Sequence, residues 1–265
     1  MRFLNLHNHT VYSDGIGTVK ENIEAAISKN MLGIGFSDHS YTPCDTSYCM
    51  KKEDYDKYLA EIGELKQMYK EIIPVYAGIE MDYYSEIDKS KFDYVIASVH
   101  YIIKDNICYP IDHSAKQQLD CIADAFDGDV YKMAEWYYDL VVDHVKKNKP
   151  DVVGHFDVIS KFGIMPEDDK YFSIAAKAMA EAAKYCDMFE INTGAIARGY
   201  KTLPYPHKRL LEELYNIGGK VCINADSHNP QFLDLFFKES VDLLREIGFK
   251  CYYVFNGNGF DAIEI

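Results

Sequence analysis

Residues 6–15 read LHNHTVYSDG. Two histidines one residue apart, His7 and His9, close a short apolar run, and Asp14-Gly15 follows. Alternate residues of an extended strand face the same side, so both imidazoles point one way. The far end of the chain repeats the device: ADSH at Ala225–His228 sets Asp226 and His228 two apart. Between these ends, candidate strands fall at Phe3–His7, Gly33–Ser37, Val75–Glu80, Tyr94–Val99, Val152–His155, Met188–Asn192 and Val221–Ala225. Each is rich in Val, Ile, Phe or Tyr and is bounded by Gly, Pro, Asn or Asp. Segments of helical period separate them. Thr18 with Glu21 predicts a capping box for a helix to about Asn30. Further helices are expected over Lys52–Ile72, Val130–Lys147, Phe172–Tyr185, His207–Asn216 and Gln231–Ile247, with Gly218 and Gly248 at helix ends. Strand and helix alternating along the whole chain predict an α/β fold, a parallel sheet with helices outside.

No low-complexity linker interrupts this pattern, so residues 1–265 are expected to form one domain. Tyr101–Asp129 is an excursion between the fourth and fifth strands. Tyr252–Phe255 is a further strand-like run, and the Asn256-Gly257-Asn258-Gly259 that follows reads as a turn, since it lacks the spacing of a nucleotide-binding loop.

Composition narrows the function. Hydrophobic residues make up 48% and charged residues 26%, as in a folded protein with a sizeable core. The 42 acidic against 28 basic residues give a formal charge of −14, which repels nucleic acid and anionic membrane surfaces. Neither is expected as a partner. The seven cysteines are scattered with no C-x-x-C spacing, which argues against a disulfide framework or a zinc ribbon. No apolar run approaches the ~18 residues of a membrane span, and no signal-like segment opens the chain. A cytoplasmic location is the expectation, and the sequon Asn8-His9-Thr10 is taken as coincidence.

The residues that end each candidate strand carry the chemistry. In order they are His7-Asn8-His9, Ser37-Asp38-His39, Glu80, His100, His155, Asn192 and Asp226-Ser227-His228. Parallel α/β folds place their sites at the carboxyl ends of strands. A single histidine there is ordinarily a packed or surface residue. Nearly every strand ending this way is another matter, because burying so many rings and carboxylates without a ligand costs several kcal/mol per charged group. Imidazole with carboxylate and no thiolate suits zinc, manganese or iron.

With these motifs in view, the chain resembles the PHP (polymerase and histidinol phosphatase) family, and within it the branch of histidinol-phosphate phosphatases. The matching stretches are HNHTVYSDG (7–15), FSDHS (36–40), GIEMD (78–82), ASVH (97–100), GHFD (154–157), EINTG (190–194) and ADSH (225–228). The resemblance implies a distorted (β/α)7 barrel, similar to a TIM barrel, and a centre of three divalent metal ions. It implies that His7, His9, Glu80 and Asp226 hold one ion, that Glu80 bridges to a second held by His100 and His155, and that Asp14, His39 and His228 hold the third. The implied activity is hydrolysis of a small phosphate monoester, L-histidinol phosphate, in histidine biosynthesis. A nucleotide or other small phosphate ester is the alternative, and a non-catalytic metal-binding module a third.

Glu80 and Asp226 are the expected catalytic side chains beside the ions, Asp226 orienting or deprotonating the attacking water. Arg198, just past the sixth strand, is expected to fork onto the substrate phosphate. Lys161 on the fifth loop is a second candidate for the phosphate. His207 opens a helix; a capping role is expected, within reach of the substrate. His113 lies in the excursion, where its loop can face the substrate. His144 is expected to be structural. Asp38 is expected to point away from the ions, and Glu190 and Asn192 to share a polar face inside the barrel. Trp136, Tyr137 and Tyr138 are read as helix packing.

Overall fold

The computed structural model describes residues 1–265. In chain order its elements are β1 (Leu4–Asn5), α1 (Val19–Ser28), β2 (Gly33–Phe36), α2 (Tyr55–Tyr69), β3 (Val75–Asp82), β4 (Tyr94–Ser98), β5 (Tyr101–Lys104), β6 (Ile107–Pro110), α3 (Ala115–Phe126), α4 (Val130–Asn148), β7 (Val152–Val153), α5 (Asp169–Ala182), β8 (Met188–Asn192), α6 (Gly194–Ala197), α7 (Lys208–Asn216), β9 (Lys220–Asn224), α8 (Phe237–Ile247), β10 (Cys251–Phe255) and β11 (Phe260–Glu264). Seven strands form one sheet in the order β1-β2-β3-β4-β7-β8-β9, every pair parallel. The sheet curls into a distorted (β/α)7 barrel with helices outside, as the family resemblance implied.

The two ends of the sheet meet at a seam. There, β1 and β9 form no regular ladder. His9 N–H donates to the Ser227 carbonyl (2.8 Å), and Ser227 N–H donates to that of His7 (3.1 Å). Below this bridge, side-chain amides take over: Leu6 N–H donates to Asn224 Oδ1 (2.9 Å) and Ala225 N–H to Asn5 Oδ1 (3.0 Å). Buried backbone donors need partners, and here asparagines supply them. The barrel is filled beneath the seam by Tyr94, whose hydroxyl donates to the Leu6 and Phe36 carbonyls. Gly35 and Gly78 make room for its ring. A Cβ at Gly78 would stand 2.2 Å from the Tyr94 ring, and one at Gly35 would stand 2.4 Å from its hydroxyl.

Thr18 and Glu21 form the expected capping box at α1. On α4, Met133, Ala134, Tyr137, Tyr138, Val141 and Val145 are buried at helical spacing, each large side chain worth ~1.5–3 kcal/mol over exposure. Trp136 turns the other way and is 41% exposed, so it is not part of that packing face. The expected helix over 52–72 divides into a 3-10 turn, Lys52–Asp54, and α2. The one over 231–247 begins only at Phe237, because Phe236 takes a left-handed φ of 65°. α5 starts earlier than its apolar pattern, since Asp168 accepts the Tyr171 N–H as a cap. The excursion holds an antiparallel hairpin, β5–β6, and α3. Residues 256–259 form the turn of the β10–β11 hairpin. No helix is long and apolar enough to cross a membrane.

Candidate metal centre

The carboxyl ends of the strands bring His7, His9, Asp14, His39, Glu80, His100, His155, Asp226 and His228 together. Glu80, near the end of β3, is the hub. Its Oε2 lies 2.8 Å from His39 Nδ1, 3.3 Å from His7 Nε2 and 3.7 Å from His9 Nε2. Its Oε1 lies 2.9 Å from His155 Nε2 and 3.3 Å from His100 Nε2. Asp226 Oδ1 stands 3.2 Å from His9 Nε2 and 3.8 Å from His7 Nε2. Asp14 Oδ1, on the loop after β1, is 3.2 Å from His228 Nε2 and 3.6 Å from His39 Nε2. The implied groups overlap in space. His39 turns one nitrogen to Glu80 and the other to Asp14, and His9 Nδ1 also faces Asp14, at 3.8 Å. Asp226 has a left-handed φ of 46°, a conformation a non-glycine residue keeps only when its surroundings hold it there.

A second layer aims these rings. His7 Nδ1 lies 2.9 Å from Glu190 Oε2, which turns Nε2 toward Glu80. Glu190 also accepts the His155 backbone N–H (2.7 Å) and the side-chain amides of Asn192 and Asn224. His100 Nδ1 lies 3.3 Å from Asp82 Oδ2. Asp38 accepts from the Thr10 and Ser13 backbone N–H groups and hydroxyls, which pins the loop carrying Asp14. Carboxylates behind ligating histidines fix ring orientation and tautomer, and losing one costs 10–100-fold in metal affinity. Glu190→Gln is therefore expected to weaken metal binding by roughly that factor, read by competition against a chromophoric chelator. Wild-type affinity in that variant would remove Glu190 from this role.

The electrostatics are those of a site for cations. Burial pushes the Glu80 carboxyl up, but His39, His7 and His100 outweigh it and hold it well below the usual carboxylate range. Asp226 is likewise held well below that range against burial, first by Arg198 and then by His7. Burial, His228 and His39 push the His9 imidazole down to about 3, whereas the surrounding carboxylates raise His7, His39 and His100 against burial. His7 Nε2, both nitrogens of His9, Glu80 Oε2 and His155 Nδ1 are buried without a hydrogen-bond partner. Each such atom costs ~1–3 kcal/mol. Several at one point, offering nitrogen and oxygen but no sulfur, fit divalent cations. Four groups of these donors lie with their atoms within 4.8 Å of one another.

Comparison with known families decides the kinship: the model of the PHP domain matches residues 5–195. The chain belongs to the PHP family. The match ends before Asp226 and His228, so the last arm of the donor cluster lies outside it. Among curated relatives, this PHP chain is 28% identical to a "probable histidinol-phosphatase" of Schizosaccharomyces pombe over 88% of its own length and 82% of the relative's. It is 26% identical to the histidinol-phosphatase of Lactococcus lactis over 98% and 97% of the two chains. The crystal structure of histidinol phosphate phosphatase from Lactococcus lactis, complexed with zinc, L-histidinol and phosphate, superposes with a TM-score of 0.71 and 23% identity over 98% of this chain and 99% of that one. That likeness establishes the shared barrel.

A cavity of about 310 Å³ opens over the donor cluster of this PHP barrel. Arg198 lines it, with Nη2 donating to Asp226 Oδ2 at 3.0 Å and Nη1 3.0 Å from His228 Nδ1. Lys161 lines it too, but its ammonium is engaged by Asp112, at 2.6 Å to the backbone carbonyl and 3.3 Å to Oδ2. His113 reaches the same cavity. His207 does not: it caps α7, its Nδ1 accepting the Arg209 N–H, and lines a neighbouring cavity beside Asp157. His144 is structural, bonded to the Met81 carbonyl and Asn148. The sequence patterns did not single out Asp82, Asp112, Asp45 or Tyr48. Asp82 carried a signal, since it stands two residues beyond Glu80 on the same strand face.

Proposed function

We propose that the chain is a metal-dependent histidinol-phosphatase, hydrolysing L-histidinol phosphate to L-histidinol and phosphate in histidine biosynthesis. The observation that carries this is the convergence of imidazole and carboxylate donors on Glu80 beneath one cavity, in a PHP chain whose full-length relatives are named histidinol-phosphatases. Three divalent ions, zinc, manganese or iron, are the proposed cofactors. His7, His9, Glu80 and Asp226 would hold the first, Glu80, His100 and His155 the second, and Asp14, His39 and His228 the third. Bound divalent ions supply Lewis acidity toward phosphoryl oxygens and lower the pKa of the attacking water.

The chain's own residues position the reaction. Asp226 offers Oδ1 toward the donor cluster while Arg198 holds Oδ2, so the carboxylate is fixed to orient the attacking water. Water oxygen bonds to phosphorus, the bond from phosphorus to the alcohol oxygen breaks, and a proton passes to that oxygen. Arg198 is held charged by Asp226, and its other N–H donors are left for a phosphoryl oxygen. Residues 1–265 work as one domain in this reading, and the free cysteines suit a reducing cytoplasm. The test is an assay of metal-defined protein on L-histidinol phosphate beside nucleotides and sugar phosphates. Histidinol phosphate is expected to give the highest kcat/KM. A nucleotide in its place would keep the phosphoesterase and overturn the substrate.

A further inference from the structure

The cavity over the donor cluster is asymmetric in charge. Its two permanent cations are engaged, Arg198 by Asp226 and Lys161 by Asp112. Asp14 stands among His228 and His39. One lining carboxylate remains without a cation: Asp45, on the loop between β2 and α2. Its Oδ1 accepts the Ser47 N–H at 2.8 Å in a local turn, and it forms no ion pair.

Beside Asp45 stands an aromatic wall. Tyr48 meets the His39 ring edge-on, with centroids 4.8 Å apart, and stacks on Tyr101 at 6.2 Å. The Tyr48 hydroxyl is shielded from solvent and has no partner at hydrogen-bond geometry. A carboxylate without a counter-ion, a buried hydroxyl without a partner and two aromatic faces together make a receptor for an organic cation. It borders the donor cluster, since Tyr48 touches His39. The wall and the cluster line the same cavity.

We propose that Asp45 and Tyr48 select phosphate monoesters whose alcohol carries a protonated amine, each accepting an N–H from the ammonium while Tyr101 flanks the carbon chain. This rests on the reading of the site as a phosphate-monoester hydrolase. L-Histidinol phosphate carries such an amine. Nucleoside monophosphates and sugar phosphates do not, so the wall would also turn those esters away.

The experiment compares two esters that differ only in the amine, L-histidinol phosphate and 3-(imidazol-4-yl)propyl phosphate, on wild type, Asp45→Asn and Tyr48→Phe. A hydrogen bond to a charged group is worth roughly 10- to 100-fold in binding. Wild type is expected to favour the amine ester by about that ratio in kcat/KM, and Asp45→Asn to bring the ratio near unity through KM. Equal losses on both esters, leaving the ratio where it was, would overturn the proposal. Should Asp45→Asn fail to fold by circular dichroism, Tyr48→Phe carries the same comparison with a smaller expected change. Calorimetry with L-histidinol and its des-amino analogue separates the two readings. If neither ester is hydrolysed, the phosphatase reading fails, and amine-dependent binding lost in Asp45→Asn still upholds the cation pocket. Binding that ignores the amine sinks it.

Discussion

Stripping the protein with a chelator is expected to abolish phosphatase activity and to lower Tm by roughly 10 °C, both restored by a divalent metal. The size follows from mass action. A ligand present at a thousand times its Kd stabilises the folded state by ~4 kcal/mol, and each kcal/mol moves the Tm of a chain this size by about 2–4 °C. The structural reason lies in the centre. Its carboxylates and imidazoles are buried, several donor atoms lack partners, and bound cations would satisfy them. Scanning calorimetry and metal analysis on the same samples check it. Full activity below one ion per chain would defeat the mechanism, and an unchanged Tm would show that the cluster tolerates its own unsatisfied donors.

The second large effect is expected at Glu80. Five histidine nitrogens approach its two oxygens. Glu80→Gln keeps the volume and removes the charge. Losing the carboxylate on which both sides of the proposed centre converge is expected to lower kcat/KM roughly 10³-fold, ~4 kcal/mol at ~1.4 kcal/mol per factor of ten. Metal content should fall with it, because two of the donor groups share Glu80. Far-ultraviolet circular dichroism should be that of wild type. A loss under tenfold would make Glu80 a bystander.

How much of this was legible beforehand follows the physics of each signal. Strand ends showed because residue type and a period of two are both local. Met188–Asn192 came out with the bounds the sequence suggested, whereas β1 stops at Asn5, short of the expected His7; His7 and His9 still converge on Glu80, flanking the bridge at Asn8. The excursion was opaque. Its hairpin pairs Tyr101 with Pro110 across a turn at Asp105 and Asn106, two positive-φ residues that carry no glycine to announce them. The pocket wall was invisible for a different reason. Asp45 and Tyr48 sit on a loop without periodicity, and only the folded barrel sets them over the cluster. Glu190 stood in view as one of a polar pair, but its bond to His7 joins residues 183 apart, a relation that no spacing encodes.

The seam between β1 and β9 has a consequence for how the protein comes into being. The Leu6–Asn224 contact spans 218 residues, and closing so long a loop is entropically unfavourable until much else has formed. Yet His7 and His9 stand on one lip of the seam, and Asp226 and His228 on the other. In the proposed centre, the two lips must meet before these four donors stand together. During synthesis, a nascent barrel holds no complete site until its final third has emerged. On the proposed assignment, metal content would then report folding: only a chain whose seam has closed offers the complete donor set.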